Sequence, residues 1–167
     1  MSDEELLTER LTLSRPTPTD IDAILAIHAD PLACKHNPSD ALVTREDATG
    51  LFYRWDAHWH ANGFGYWVVR RRGSAVALGF CGLKYISERV LNLFYRFAPD
   101  YWGQGIATES ATAVVRRATS RLPDHSVIAR VRPDNVASQH VAIRAGLGRA
   151  EHLDGNGEDG LDWVYVL

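Results

Sequence analysis

A glycine-rich turn directly before a helix-like segment holds the residues best suited to chemistry in this chain of 167 residues. The run Gly-Gln-Gly at 103–105 precedes small residues that recur at helical spacing from Ala107. The first turn of a helix leaves backbone N–H groups unpaired and carries partial positive charge, so it attracts phosphate groups. Glycine lets a ligand approach the backbone closely. The turn therefore predicts a pyrophosphate site.

Gly-x-Gly before a helix is a weak signal alone, because glycines are also typical of a tight turn without a ligand. The run is not a P-loop, since no Gly-Lys-Ser/Thr follows to hold phosphates and magnesium. A dinucleotide fingerprint would carry a third glycine after a parallel strand, and the strands before this turn are predicted to be antiparallel. A phosphate site and a plain turn both stay open on these residues alone.

Alternating and helical spacings define the elements that must position this turn. The predicted strands are short apolar or alternating runs, at residues 11–14, 64–69, 76–83, 90–97, 127–131 and 161–167. The predicted helices repeat apolar residues every three or four positions, at residues 19–31, 44–62, 107–118 and 136–147. This order predicts one α+β domain over residues 1–167, with a mixed, mostly antiparallel sheet and helices on both faces.

Two local predictions concern helix ends and faces. Thr44 stands three positions before Asp47, the spacing of a capping box at a helix start. Val136, His140 and Ile143 follow one another at helical spacing, so we expect the three side chains to pack together.

Composition and charge favour an ordinary globular protein. Hydrophobic residues make up 46% of the chain, charged residues 23%, and the formal net charge is -3. This charge gives no reason to expect nucleic acid as a partner. The three arginines at 70–72 are interpreted as a solvated hairpin turn, with phosphate contact as the less favoured alternative.

The cysteines and the start of the chain bear on metal binding and location. Cys34 and Cys81 form no CxxC pair, and Cys81 lies in an apolar run, so we expect a buried thiol and no metal site. Residues 1–5 are acidic where a signal peptide would be basic, and no apolar run approaches about 20 residues. We therefore expect a cytoplasmic protein without a membrane partner.

Four sequence segments together resemble one family. The run Trp-Gly-Gln-Gly-Ile-Ala-Thr-Glu-Ser at 102–110 is similar to the acetyl-CoA loop of GNAT acetyltransferases, and more narrowly of the RimJ/RimL-type branch. The segments 132–138 and 144–147 resemble the branch's Asn-x-x-Ser and Lys/Arg-x-Gly-Phe motifs. Residues 9–13 are similar to its Glu-Arg-Leu-x-Leu start. The resemblance covers nearly the whole chain and implies a GNAT-like fold with acetyl-CoA as co-substrate.

The resemblance also implies which residues bind the cofactor. The pyrophosphate would be held by five backbone amides, those of Gln104, Gly105, Ile106, Ala107 and Thr108. Phe97 and Ala98, at the end of the preceding strand, would hydrogen-bond the pantetheine arm as an added strand does. Asn135 would reach the amide groups of the cofactor. The alternative for Asn135 is an N-cap of the next helix, and one residue can serve both roles.

The implied reaction is direct attack of an amine on the thioester. A strand N–H near Phe97 would donate to the oxyanion. Ser138 is the candidate donor of a proton to the leaving thiolate, and a plain polar residue in the first helical turn is the alternative. The branch often has a base, Glu, three residues before Tyr95, where this chain has Asn92. An amide cannot act as a base, and Glu109 is interpreted as favouring the helix dipole.

The acceptor side is less defined by the sequence. In this family the early helices usually form part of the acceptor pocket, so five residues are candidates to line it: Trp55, His58, Trp59, His60 and Trp67. For the three tryptophans we favour packing over substrate contact. His58 and His60 are poor candidates for metal ligands, because residues two apart on a helix point in different directions. The implied acceptor is a protein N-terminal amine or a small-molecule amine, bound by a monomer or a homodimer. The alternative function is a catalytically weak acetyl-CoA sensor, and a nucleotide-binding regulatory domain is a third possibility.

Overall fold

The computed structural model describes residues 4–167 and places one large sheet between two groups of helices. The strands are β1 (Glu5–Leu7), β2 (Leu11–Ser14), β3 (Tyr66–Arg71), β4 (Ala77–Ser87), β5 (Val90–Phe97), β6 (Ser126–Val131), β7 (Gly148–Arg149), β8 (Gly155–Gly157) and β9 (Gly160–Val166). The α-helices are α1 (Ile21–His28), α2 (Arg45–Asn62), α3 (Ile106–Arg121) and α4 (Val136–Arg144). Residues 1–3 of the acidic start lie outside the described residues.

The sheet has the strand order β1-β2-β3-β4-β5-β6-β9-β7, and β8 pairs with β9. Every pairing is antiparallel except that of β5 with β6, which is parallel. The predicted α+β fold with a mixed, mostly antiparallel sheet is therefore confirmed. The short strands β1, β7 and β8 were not predicted, because two or three residues carry no readable alternation.

Two hydrophobic clusters cover the two faces of the sheet. On one face α3 packs through a stripe that includes Ile106, Ala111 and Val114. On the other face α1 and α2 pack through residues such as Ile24 and Trp55. The stripe predicted from helical spacing ran from Ala107 to Ala118; Ala111 and Val114 are buried as expected, Ala107 is partly buried, and Ile106 was not part of the prediction.

The start of α2 matches its prediction. The Thr44 side chain accepts from the Asp47 N–H at 3.1 Å, and the Asp47 carboxylate accepts from the Thr44 N–H at 2.9 Å. The helix ends at Gly63, which has a positive φ of 74°. The capping box is confirmed, and it sets the residue at which α2 begins after the segment that follows α1.

The predicted packing face of α4 is wrong. Val136 and Ile143 are 54% and 53% exposed, and His140 is exposed beside them. The helix instead buries Ala142 and turns Ser138 towards the sheet. Because α4 lies close to the sheet, small residues fill its inner face, and the larger apolar side chains that dominated the spacing point outward.

Candidate functional site

A gap opens where β5 and β6 separate. Their parallel register joins Val90 to Ser126 and ends with the pair Asn92 and Ile128. Strand β5 continues for five more residues, paired only with β4 as far as Phe97 opposite Gly79. One edge of residues 93–97 therefore faces the gap.

The backbone of β5 presents hydrogen-bonding groups to this gap. The Ala98 N–H donates to the Leu78 carbonyl of β4 at 2.9 Å. Since groups alternate between the two sides of a strand, those of Tyr95 and Phe97 face away from β4. The Phe97 carbonyl accepts from Trp102 Nε1 at 2.9 Å, which leaves the Phe97 N–H towards the gap. The Ala98 carbonyl accepts from the Tyr101 N–H, so both backbone groups of Ala98 have partners within the protein.

The Gly-x-Gly turn joins the end of β5 to α3. Gly103 and Gly105 have positive φ angles of 73° and 75°, which side chains with a Cβ rarely adopt. The first helical hydrogen bond runs from the Glu109 N–H to the Gly105 carbonyl at 3.0 Å. The amides of residues 106–108 therefore have no acceptor inside the helix and mark its positive end.

Two arginines contact this turn, Arg10 immediately before β2 and Arg71 at the end of β3. Arg10 Nη1 donates to the Gln104 carbonyl at 2.9 Å, and Arg71 donates to the Gln104 side-chain oxygen. A Cβ added at Gly105 would lie 3.3 Å from Arg10 Nη2. Arg71 thus brings positive charge to the turn, whereas the charge of Arg10 is balanced by Glu109. The sequence interpretation of 70–72 as solvated missed that Arg71 reaches the turn, and it gave no role to Arg10.

Glu109 holds Arg10 in this position. Its carboxylate accepts from the Thr8 hydroxyl at 2.6 Å and from the Arg10 N–H and Nε at 2.9 and 2.6 Å. Burial alone would raise the pKa of Glu109, but these hydrogen bonds and the Arg10 charge outweigh it and lower the pKa. Glu109 therefore ties the turn before β2 to the start of α3, a role beyond the predicted dipole effect.

Asn135, Ser138 and Tyr95 meet at the start of α4. The Asn135 side-chain oxygen accepts from the Ser138 N–H at 3.1 Å, so Asn135 caps the helix. The Ser138 hydroxyl donates to the Tyr95 hydroxyl at 2.9 Å, and the Tyr95 hydroxyl donates to the Ser138 carbonyl at 2.7 Å. The cap leaves the Asn135 side-chain N–H₂ group without a role in the helix start.

Asn92 stands where β5 and β6 separate. Its side-chain oxygen is buried and has no hydrogen-bond partner among residues 4–167. A buried polar atom without a partner is uncommon. The position carries an amide, so no carboxylate stands there to take a proton.

The segment between α1 and α2, residues 29–44, crosses to three other elements. Asp40 pairs with Arg96 of β5 at 2.8 Å. His36 Nδ1 lies 3.3 Å from an Asp134 carboxylate oxygen in the loop after β6. The Ser39 hydroxyl donates to Asp159 in the β8–β9 turn at 2.6 Å. The segment therefore covers the α1–α2 side of the β5 and β6 ends, a contact set that the sequence did not indicate.

Most of the aromatic candidates of the acceptor side are packed in the core. Trp55, Trp59 and Trp67 are only 6%, 2% and 1% exposed. His58 Nε2 accepts from the Tyr85 N–H at 3.3 Å, and burial lowers the pKa of His58. These side chains stabilise the core beside α2, and His60 lies on the surface against Asp56.

Within residues 4–167, no group of three His, Cys, Asp or Glu side chains is arranged to hold a metal ion. No helix in this range has the length and apolar character needed to cross a bilayer.

Sequence comparison identifies relatives over most of the chain. The family model described as an acetyltransferase (GNAT) domain matches residues 10–148. An uncharacterized N-acetyltransferase of Schizosaccharomyces pombe is 30% identical over 159 residues, which cover 87% of this chain and 85% of that protein. The uncharacterized N-acetyltransferase YoaA of Bacillus subtilis is 25% identical, over 84% of this chain and 81% of its own.

Solved structures share the fold. An acetyltransferase of Agrobacterium tumefaciens has a TM-score of 0.83 at 25% identity, over 98% of this chain and 93% of that one. RimL, a ribosomal L7/L12 α-N-protein acetyltransferase in complex with CoA, has a TM-score of 0.80 at 18% identity, and the match covers 98% of this chain and 97% of RimL. A Vibrio cholerae spermidine N-acetyltransferase in complex with CoA and spermine has a TM-score of 0.78 at 18% identity, and the match covers 96% of each chain.

Proposed function

This chain belongs to the GNAT acetyltransferase family, and from that premise we propose that it moves acetyl from acetyl-CoA to a primary amine by direct attack, with both substrates bound. It is an N-acetyltransferase, as its relatives and its fold agree. We assign it to the RimJ/RimL-type branch, with residues 1–167 as one domain. The observation that carries the proposal is the β5–β6 gap, which leads to the free amides of α3.

The cofactor would bind along this gap. Amides at the positive end of a helix suit a pyrophosphate, and those concerned belong to Gln104, Gly105, Ile106, Ala107 and Thr108. Arg71, which already contacts the Gln104 side chain, would add positive charge, and Arg10, whose charge Glu109 balances, holds the Gln104 carbonyl. The family neighbours RimL and spermidine N-acetyltransferase were both solved with CoA, which supports the choice of ligand.

The pantetheine arm would pair with the free edge of β5. The Phe97 N–H and the backbone groups of Tyr95 face the gap and suit an added strand. Ala98 would act through position rather than through new hydrogen bonds, since its backbone groups already have partners. Asn135 has a side-chain N–H₂ group left to donate to an amide carbonyl of the arm.

The chemistry would need an oxyanion donor, a proton donor and a free amine. The Phe97 N–H suits the oxyanion, because an amide fixed in a strand needs no reorganisation as charge develops. The Ser138 hydroxyl would donate to the leaving sulfur from the first turn of α4. Since Asn92 cannot take the amine proton, water would carry it away.

The acceptor would be a primary amine, and both classes known among the structural neighbours are compatible with the fold. RimL is named for a protein α-amine and the Vibrio enzyme for spermidine. We favour an α-amino group of a protein, because its pKa of about 8 leaves more neutral amine than an alkyl amine near 10. The second candidate function is an acetyl-CoA sensor with weak catalysis, which Asn92 favours.

The test is an acetyl-transfer screen with purified protein, acetyl-CoA and a panel of N-terminal peptides, polyamines and amino sugars, read by thiol release and by the mass of the product. We expect one amine class to be acetylated, with α-amino peptides foremost. Tight acetyl-CoA binding without transfer to any amine, even at alkaline pH, would support the sensor. Binding of ATP or NAD in place of acetyl-CoA would refute the proposal.

A further inference from the structure

Two hydroxyl groups connect β5 to α4 across the gap. Ser138 Oγ donates to the Tyr95 hydroxyl at 2.9 Å, and that hydroxyl donates to the Ser138 carbonyl at 2.7 Å. Tyr95 lies three residues beyond Asn92, the last residue of β5 that pairs with β6. Ser138 lies in the first turn of α4, which follows β6. The pair therefore stands beside the part of the gap where β5 has a free edge.

The hydroxyl protons of this pair are committed within it. A serine hydroxyl has one proton, and here that proton points to Tyr95. In this arrangement Ser138 offers only lone pairs to a neighbouring sulfur. Ser138 can donate to the sulfur only if its hydroxyl turns away from Tyr95, and its oxygen then needs a donor in exchange.

Tyr95 can be that donor. If the Tyr95 hydroxyl turns from the Ser138 carbonyl to Ser138 Oγ, the chain of hydrogen bonds runs from Tyr95 to Ser138 to the sulfur. Only two C–O bonds rotate, and no heavy atom moves. The Ser138 carbonyl lies within α4 and keeps its helical acceptor role. Burial raises the pKa of Tyr95 despite the opposing hydrogen bond from Ser138, so the phenol keeps its proton and acts as a donor.

We propose that Tyr95 is a positioning residue that, by donating to Ser138 Oγ, directs the Ser138 proton to the leaving sulfur of the thioester. The inference rests on the proposed acetyl transfer. The amine nitrogen forms the C–N bond, the C–S bond breaks, and its electron pair stays on sulfur. The amine proton goes to water. Ser138 stabilises the thiolate by a hydrogen bond, Tyr95 loses no proton, and the thiolate is protonated by water after release.

The test measures the acidity of the CoA thiol in its complex with the protein, which needs no acceptor amine. The ultraviolet absorbance of the thiolate is followed against pH for wild type and for Tyr95→Phe. A donor aimed at the sulfur lowers the thiol pKa, and we expect Tyr95→Phe to weaken thiolate stabilisation about tenfold, about one pH unit. The kcat should fall by about the same factor with the KM for acetyl-CoA unchanged.

Control variants separate this role from packing. Tyr165→Phe removes a hydroxyl from the same hydrophobic cluster, on β9, and should leave the thiol pKa and kcat unchanged. Ser138→Ala should raise the thiol pKa as Tyr95→Phe does. The thiol pKa of the double variant should be no higher than that of Ser138→Ala alone, because the two residues act in one chain of hydrogen bonds. Ser138→Thr, which keeps a hydroxyl, should restore part of the effect.

The outcomes are distinguishable. If CoA binds and its thiol pKa is the same in Tyr95→Phe and wild type, the role of Tyr95 is refuted and the proposed function stands. If wild type does not bind CoA, both are refuted. If Tyr95→Phe does not fold, fluorotyrosine at Tyr95 keeps ring and hydroxyl and donates more strongly. The fluorotyrosine protein should then have a lower thiol pKa than wild type, and a thiol pKa equal to that of wild type would refute the inference.

Discussion

Replacing Gly105 by glutamate is a direct test of the phosphate turn. Gly105 immediately precedes the free amides of α3, so a carboxylate there would lie beside a diphosphate bound at these amides. Two like charges about 5 Å apart repel by about 3 kcal/mol at an effective dielectric constant of about 20, which corresponds to a loss of affinity of about 150-fold. The new carboxylate would also attract Arg10, whose Nη2 lies 3.3 Å from the added Cβ position. We therefore expect acetyl-CoA binding to weaken at least about 100-fold.

The assay is titration calorimetry of acetyl-CoA, with thermal unfolding measured in parallel. The positive φ of 75° at Gly105 means that any side chain there also costs about 1–2 kcal/mol of stability. Gly63→Glu is the matched control, because Gly63 has a φ of 74° and open space around an added Cβ, far along the chain from the turn. Gly63→Glu should lose about as much stability as Gly105→Glu and keep the wild-type affinity for acetyl-CoA. Unchanged affinity in folded Gly105→Glu would refute the assignment of the turn.

Three further predictions follow from the same structure. Ser138→Ala should lower kcat about tenfold or more with little change in acetyl-CoA affinity, and stopped-flow rates against calorimetric affinity would check this. Arg71→Ala should weaken acetyl-CoA binding about fivefold at low salt and less at high salt, whereas Arg45→Ala on α2 should have no effect. Burial lowers the pKa of His28 from 6.5 to about 4. The unfolded chain therefore binds the proton first, and about 3 kcal/mol of stability should be lost as pH falls from about 6.5 to about 4. Denaturant unfolding at both ends of that pH range would show the loss of stability, and His28→Gln should remove the part of it that is due to His28.

The glycine turn and the helix start after it could be predicted from sequence because their signals are local. Two glycines with positive φ, a helix start and a stripe of small residues all fall within 20 residues, and each has its own physical reason. The capping box of α2 was readable for the same reason, since Thr44 and Asp47 are three residues apart. The order of the main strands and helices followed from such patterns.

The residues around the turn could not be predicted because they come from distant parts of the chain. Arg10 and Gln104 are 94 residues apart, and their contact depends on the registers of β2 and β3 in the sheet. Tyr95 and Ser138 are 43 residues apart and meet only because β5 and β6 separate. The inner face of α4 was missed for a different reason. The prediction relied on the spacing of the large apolar residues, whereas the side of the helix that lies against the sheet carries small residues.

The amide at Asn92 bears on which amines this enzyme can use. Because Asn92 stands at the end of the β5–β6 pairing in place of a carboxylate, the proposed reaction would pass the amine proton to water, and its rate would then depend on how much of the amine is neutral beforehand. At pH 7 an α-amino group near pKa 8 is about 10% neutral, whereas a lysine-type amine near 10.4 is less than about 0.1% neutral. This difference of more than about 100-fold favours α-amino acceptors near neutral pH. The pH dependence of acetyl transfer also separates a slow enzyme from a sensor. Alkaline pH supplies the neutral amine that an enzyme can acetylate, whereas a sensor would leave bound acetyl-CoA unchanged at any pH.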